Sequence, residues 1–286
     1  MTVSDKLPQI YSICVIGNSH TAALYYAWKN CRPAVAPGVS LTFFAAQTSH
    51  LQYLTFTNTS LIPDEPELAR RLSYTSGGRY CIEIGAYDAF ILVGLGVRPD
   101  VSVLCEQYGW TDHLRWGGVA TLVSKTCFDE ILAASLTQNL AFHLLDTIRS
   151  ASSAPVLISP VPFHVEQPQP TDGLKSEARR ETIVRRVMEA GSTFARDRGG
   201  EILWQDEATI ASPGVTKMKF SRNGLILQDK SPTDDGRHMN EKFGYIALMA
   251  LLGRLDEISG GHVLARGNRA ARSEGHADEL PNRLVI

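Results

Sequence analysis

The sequence predicts an α/β protein, a three-layer α/β/α sandwich around a mostly parallel, five-stranded sheet. Two observations predict it. Five short runs are predominantly apolar without polar alternation, the pattern of strands buried on both faces. These runs alternate along the chain with segments of helical period, the order that βα units produce. No internal repeat and no linker divides the 286 residues. A single domain is therefore expected over 1–258, followed by a mobile tail over 259–286 that turns to Gly, Arg, Ser and Asn.

Ile13–Ile16 (ICVI), closed by Gly17, is the first strand, and Thr21–Asn30 has helical composition, expected to stop ahead of Pro33. Leu41–Ala46 (LTFFAA) is the second strand. Residues 47–80 read as irregular, apart from a short helix at Glu65–Leu72 and a turn at Gly77-Gly78. Ala89–Val93 is the third strand. Residues 97–127, with Tyr108, Trp110, His113 and Trp116 between glycines, read as a structured insert. It either roofs a cleft, where aromatics offer rigid contact area to a sugar or acyl chain, or packs on itself.

Asp129–Ser150 reads as one helix with Ile131, Leu132, Leu136, Leu140, Leu144 and Ile148 on a stripe. Pro155–Ser159 is the fourth strand. Leu174–Arg198 is an amphipathic helix with Ala178, Ile183, Val187, Met188 and Phe194 inward. Its arginines alternate with Glu177, Glu181, Glu189 and Asp197, a solvated face rather than a polyanion site. Glu201–Gln205 is the fifth strand, and residues 217–229 read as a hairpin around Asn223-Gly224. Glu241–Leu255 is the last helix, with Phe243, Ile246, Ala250 and Leu255 inward.

Lys plus Arg is 28 against 30 for Asp plus Glu, a balance that argues against nucleic-acid binding by bulk electrostatics. With 44% hydrophobic and 20% charged residues, disorder as the main state is excluded. No apolar run is long enough for a bilayer, and MTVSDKLPQIYS lacks a basic region followed by an apolar stretch. A soluble, cytoplasmic protein is expected. Five widely spaced cysteines without a CxxC argue against a disulfide framework and a cysteine zinc site, and Cys14 reads as core. No His/Asp/Glu cluster has metal-ligand spacing, and there is neither a Walker loop nor a GxGxxG after a strand. No metal and no cofactor are expected.

Sites in open parallel sheets lie beyond the carboxyl ends of the strands. The first such end here is Gly17-Asn18-Ser19-His20. Ser19 there is either a helix cap or a nucleophile beside unpaired backbone N–H groups. Far along the chain stands Asp235-Gly236-Arg237-His238-Met239-Asn240, then Phe243-Gly244-Tyr245. Asp235 and His238, three apart on a loop, can place a carboxylate against one imidazole nitrogen and leave the other to accept a proton. Serine, base and orienting acid are what a triad requires. The bland alternative is an Asp-Gly turn with Asn240 capping the last helix.

Over about 11–258 these blocks resemble the SGNH (GDSL-type) hydrolase superfamily, esterases and acyltransferases on a flavodoxin-like α/β/α fold. Gly17, Asn18 and Ser19 match the opening G-D-S block, with Asn18 in place of aspartate. Asp235, Gly236, His238, Asn240, Gly244 and Tyr245 match the closing block, with one extra residue before Gly244. The resemblance implies Ser19 as nucleophile, His238 as general base and Asp235 as the residue that orients it. The family's third-strand asparagine, an oxyanion donor, is missing: Gly96 of Gly94-Leu95-Gly96 takes its place. Its substitutes are the Gly96 N–H, Asn18 or a donor elsewhere, and where the family's second block supplies a glycine N–H the Thr48 or Ser49 backbone stands after the second strand. His164 follows the fourth strand, on the site side, as a substrate contact or an ordinary loop residue. His20 reads as a first-turn helix residue. The resemblance implies a small-molecule or saccharide ester as substrate, acetyl esters first, with no cofactor, nucleic acid or membrane partner. The competing class is a non-catalytic SGNH-like domain that binds a glycan or protein. An α/β phosphate binder using the Gly17–Ser19 turn ranks last, because it leaves the closing block idle.

Overall fold

The computed structural model describes residues 10–98, 108–110, 121–165, 177–225, 236–261, 263 and 264. All five predicted strands form, as β1 (Tyr11–Gly17), β2 (Val39–Ala45), β3 (Ala89–Val93), β4 (Val156–Ser159) and β5 (Glu201–Ile202). They pair in parallel in the spatial order β5-β4-β3-β1-β2. Read from the other edge this is 2-1-3-4-5, the flavodoxin-like order, whose switch point lies between β1 and β3.

The absence of alternation in the strands follows from helices on both faces. Ile13 and Val15 of β1 pack with Leu24, Ala27 and Trp28 of the Thr21–Val35 helix and with Leu248, Leu251, Leu252 and Leu255 of the Glu241–Ile258 helix. Cys14 and Ile16 point the other way, toward Leu68 and Leu72, Phe128, Phe142 and Ile183 on four further helices. Period-two side chains with two apolar faces make every position of the run buried.

Several expectations are corrected. The first helix runs through Pro33 to Val35. A proline so near the end removes one backbone bond and leaves little helix to disrupt. The expected helix over 129–150 is two, Lys125–Thr137 and Leu140–Ala151. Asn139 between them is extended at φ −77°, ψ 132°, and Ala141 N–H donates to Leu95 O at 3.1 Å instead of continuing the ladder. Residues 47–80 hold an antiparallel hairpin, Leu54–Thr57 with Ser60–Pro63, extended by Ile82–Glu83. Its turn uses Asn58 at φ 56°, a conformation asparagine tolerates. Gly77 caps the Pro66–Ser76 helix at φ 76°, so the Gly77-Gly78 turn is as expected.

The first arm of the hairpin expected at 217–229 is not a strand. Asn223 does turn, at φ 56°, but Met218–Phe220 before it is a single 3₁₀ turn, while 226–229 lie outside the described residues. The antiparallel pair comes earlier, Ile210–Ser212 with Val215–Thr216 around Pro213-Gly214. Of the 97–127 insert, Tyr108–Trp110 pairs in parallel with Thr121–Val123, and His113 and Trp116 lie outside the described residues. On the last helix Ile246 and Ala250 are half-buried, and Leu248, Leu251 and Leu252 complete the inward stripe instead.

The tail does not begin at 259 as a detached segment. Val263 and Leu264 are buried in the same core layer as the last helix. Their N–H groups both donate to Asp256 Oδ1, at 2.9 and 3.0 Å. Residues 265–286 lie outside the described residues. Two such side chains contribute about 1.5–3 kcal/mol each. Truncation after Gly261 also removes two N–H donors from the buried Asp256 carboxylate, so a thermal melt should show a fall of order 10 °C. An unchanged melt would refute the docking.

Among the described residues, no helix is long and apolar enough to cross a membrane.

Candidate active site

The switch point between β1 and β3 is where the opening block lies. Gly17 ends β1 with no room for a side chain: a Cβ would overlap Thr21 Oγ1 and sit 2.6 Å from Val93 O. That close approach draws the turn over the end of β3, where Asn18 N–H donates to Val93 O at 3.2 Å. The carbonyls of Asn18 and Ser19 accept from Thr21 and Ala22 N–H, so Ser19 stands at the entry of the first helix. Its side chain is half-buried.

The closing block arrives on a loop held from several sides. Asn240 Oδ1 accepts from Phe243 N–H at 3.2 Å, the cap expected of it. Its Nδ2 donates to Lys219 O and Arg222 O, and its backbone N–H to Phe220 O. Met239 is buried with Ala23, Phe220 and Phe243. Gly244 lets the last helix touch the first: a Cβ there would fall on the Ala23 carbonyl group, 3.0 Å from Ala23 Cα. The two helices so joined carry Ser19 and His238 at their N-terminal ends. The result is His238 Nε2 at 3.0 Å from Ser19 Oγ, across 219 positions of sequence.

Asp235 lies outside the described residues. Gly236, at φ 69°, accepts from Val165 N–H. That contact brings the segment of His164 beside the His238 loop; the His164 side chain is exposed. Thr48 also reaches the site, since its hydroxyl accepts from Asn18 Nδ2 at 3.1 Å.

Asn18 is corrected as an oxyanion donor. Both hydrogens of its amide are engaged, one by Thr48 Oγ1 and one by Gly94 O in a short contact. Gly96 sits at φ 94°, which favours glycine, and Asn139 Oδ1 lies 2.6 Å from where its Cβ would be. The space beside Gly96 is thus filled by an asparagine from the start of another helix, which sequence distance concealed. His20 is corrected too. It precedes the helix, and its ring stacks on His238 with centroids 5.6 Å apart and planes at 26°. No local sequence signal could have revealed that contact.

Burial quiets the thiols of the first strand and the first helix. Burial holds the Cys14 thiol well above its ordinary range, and burial chiefly, with Glu241 adding to it, pushes Cys31 up to about 11. Both stay protonated and unreactive near neutrality.

No protein-family model matches the chain, and no curated protein matches it significantly. Solved structures similar to it include an extracellular lipase from Streptomyces rimosus, at 13% identity and a TM-score of 0.41, covering 84% of this chain and 99% of that one. A lipase/acylhydrolase from Enterococcus faecalis, also 13% identical with a TM-score of 0.40, covers 90% of this chain and 98% of its own. The periplasmic domain of a lipopolysaccharide acetyltransferase from Salmonella Paratyphi A, 11% identical with a TM-score of 0.40, covers 87% and 84%.

Proposed function

We propose that the protein is a serine esterase of the SGNH type, hydrolysing or transferring an acyl group through Ser19, His238 and Asp235. The observation that carries this is the 3.0 Å approach of His238 Nε2 to Ser19 Oγ at the switch point of the sheet. Ser19 Oγ attacks an ester carbonyl while His238 takes its proton. The tetrahedral adduct collapses as His238 returns that proton to the leaving alcohol. Water or an acceptor hydroxyl then releases the acyl group by the reverse sequence. Asp235 holds the imidazole tautomer. The oxyanion is received by the Ser19 N–H with backbone groups of Thr48 and Gly96, and His164 borders the substrate. Acetyl esters of carbohydrates or small alcohols are the substrates the resemblance favours.

The test is mass spectrometry after incubation with a fluorophosphonate. A stable adduct on Ser19, with hydrolysis of p-nitrophenyl acetate, is the expected result. No adduct and no turnover of any acetyl ester would refute the esterase. The missing side chain at Gly96 would then favour the second reading, a domain of this fold that binds a glycan or protein.

A further inference from the structure

We infer that Asn18 is a positioning residue that sets nucleophile and base together, and that it must be an amide and not the aspartate of the related families. The inference rests on the esterase reading above. Asn18 stands where three strand ends meet, those of β1, β2 and β3, and each of its polar atoms has a partner. Its backbone N–H donates to Val93 O at 3.2 Å and its carbonyl accepts from Thr21 N–H at 3.0 Å. Its Nδ2 donates to Gly94 O, beyond β3, and to Thr48 Oγ1 at 3.1 Å, beyond β2. Its Oδ1 accepts from His20 N–H at 3.0 Å.

The partners dictate which end of the amide is which. Gly94 O can only accept, and His20 N–H can only donate. The side chain therefore needs a donor on one side and an acceptor on the other, which an amide has and a carboxylate lacks. Thr48 could turn its hydroxyl to donate to a carboxylate. Gly94 O cannot, so an aspartate would set two oxygens against each other.

The consequence reaches both reacting groups. Ser19 lies between Asn18 and His20, so fixing the backbone on either side of it fixes its Cβ direction. His20, held by Asn18, stacks its ring on the His238 imidazole. Gly94 keeps this arrangement open: a Cβ there would lie 2.5 Å from Asn18 Oδ1 and 3.0 Å from His20 Cδ2. With both amide hydrogens spent, Asn18 acts through Ser19 and His20 and touches no substrate.

The experiment measures the rate of fluorophosphonate adduct formation on Ser19, and kcat and KM for p-nitrophenyl acetate, in folded protein. The variants are Asn18→Ala, Asn18→Asp, Thr48→Val and the Asn18→Ala/Thr48→Val pair. Asn18→Ala should lower kcat by roughly 10–100-fold with KM little changed, the effect of a misplaced attacking group. Asn18→Asp should be no better, although it restores the related families' residue. Thr48→Val, which keeps shape and backbone N–H, should lower kcat by a smaller factor alone and add little to Asn18→Ala. Wild-type kcat in Asn18→Asp, or full additivity in the pair, overturns the inference. If Asn18→Ala does not fold, Thr48→Val carries the test, and unchanged kcat there overturns it. A wild-type protein that takes no adduct overturns the esterase reading and this role together. A wild type that labels, with Asn18 variants labelling equally fast, overturns this role alone.

Discussion

Ser19→Ala and His238→Ala are each expected to abolish fluorophosphonate labelling and to lower ester turnover roughly 10⁴-fold or more. The double variant should be little worse than either, because nucleophile and base act as one unit. The 3.0 Å contact between them is the geometry such a unit needs. Asp235→Asn should leave the fold intact and lower turnover by up to about 10⁴-fold through the wrong tautomer. Asp234→Asn should matter far less, its offset of four from His238 not being the spacing of the closing block. The assay is p-nitrophenyl acetate hydrolysis, with a thermal melt to show that each variant is folded. A Ser19→Ala protein with the wild-type rate would place the activity elsewhere.

Gly244→Ala is expected to destabilise the fold severely. A glycine inside the Glu241–Ile258 helix is a poor helix former, so alanine there should gain about 1 kcal/mol. The collision outweighs that gain. The new Cβ would fall on the Ala23 carbonyl, which belongs to the backbone of the first helix and has no rotamer to retreat into. Overpacking costs about 1–3 kcal/mol where side chains can give, and more where they cannot. Parting the helices would also draw His238 away from Ser19, so activity should fall with stability. Ala23→Gly should not rescue the variant, because the obstructing atoms are main chain. Gly38→Ala is the control: a Cβ there meets nothing within 4 Å, and its melt should be unchanged. Differential scanning calorimetry with a parallel activity assay checks both. A Gly244→Ala protein that melts like wild type would show that the crossing has slack.

Much of the architecture was legible because it is written in local patterns. Four apolar residues before Gly17, five from Ala89 to Val93 and the periodic runs between them state strands and helices buried on both sides of a sheet. Asn240 ahead of the last helix is a cap by composition, and it caps. Where the reading failed, a contact from elsewhere in the chain had overruled local preference. The stripe over 129–150 continues through Asn139, yet Leu95 O takes the N–H of Ala141 and the helix breaks. Asn223-Gly224 is a hairpin signal, yet the segment before it is a 3₁₀ turn and Leu225 N–H donates to Met239 O. Val263 and Leu264 sit in a stretch of tail composition, and the buried Asp256 draws them down.

The candidate site divides the same way. The sequence by itself determined the residue types: serine after the first strand, Asp and His three apart before the last helix, and glycine where an asparagine donor was expected. Chemistry restricts those types so narrowly that they are recognisable alone. Only the tertiary structure decided which of them meet. Residues 19 and 238 come together because β1 lies beside β3, and because Gly244 lets two helices touch at Ala23. Asn18 lost its oxyanion role, and His20 gained a stacking one, through oxygens and rings supplied by Gly94, Thr48 and His238. A hydrogen-bond donor can be read from sequence, but whether it is already spent depends on which acceptors lie within about 3 Å, and packing alone sets that.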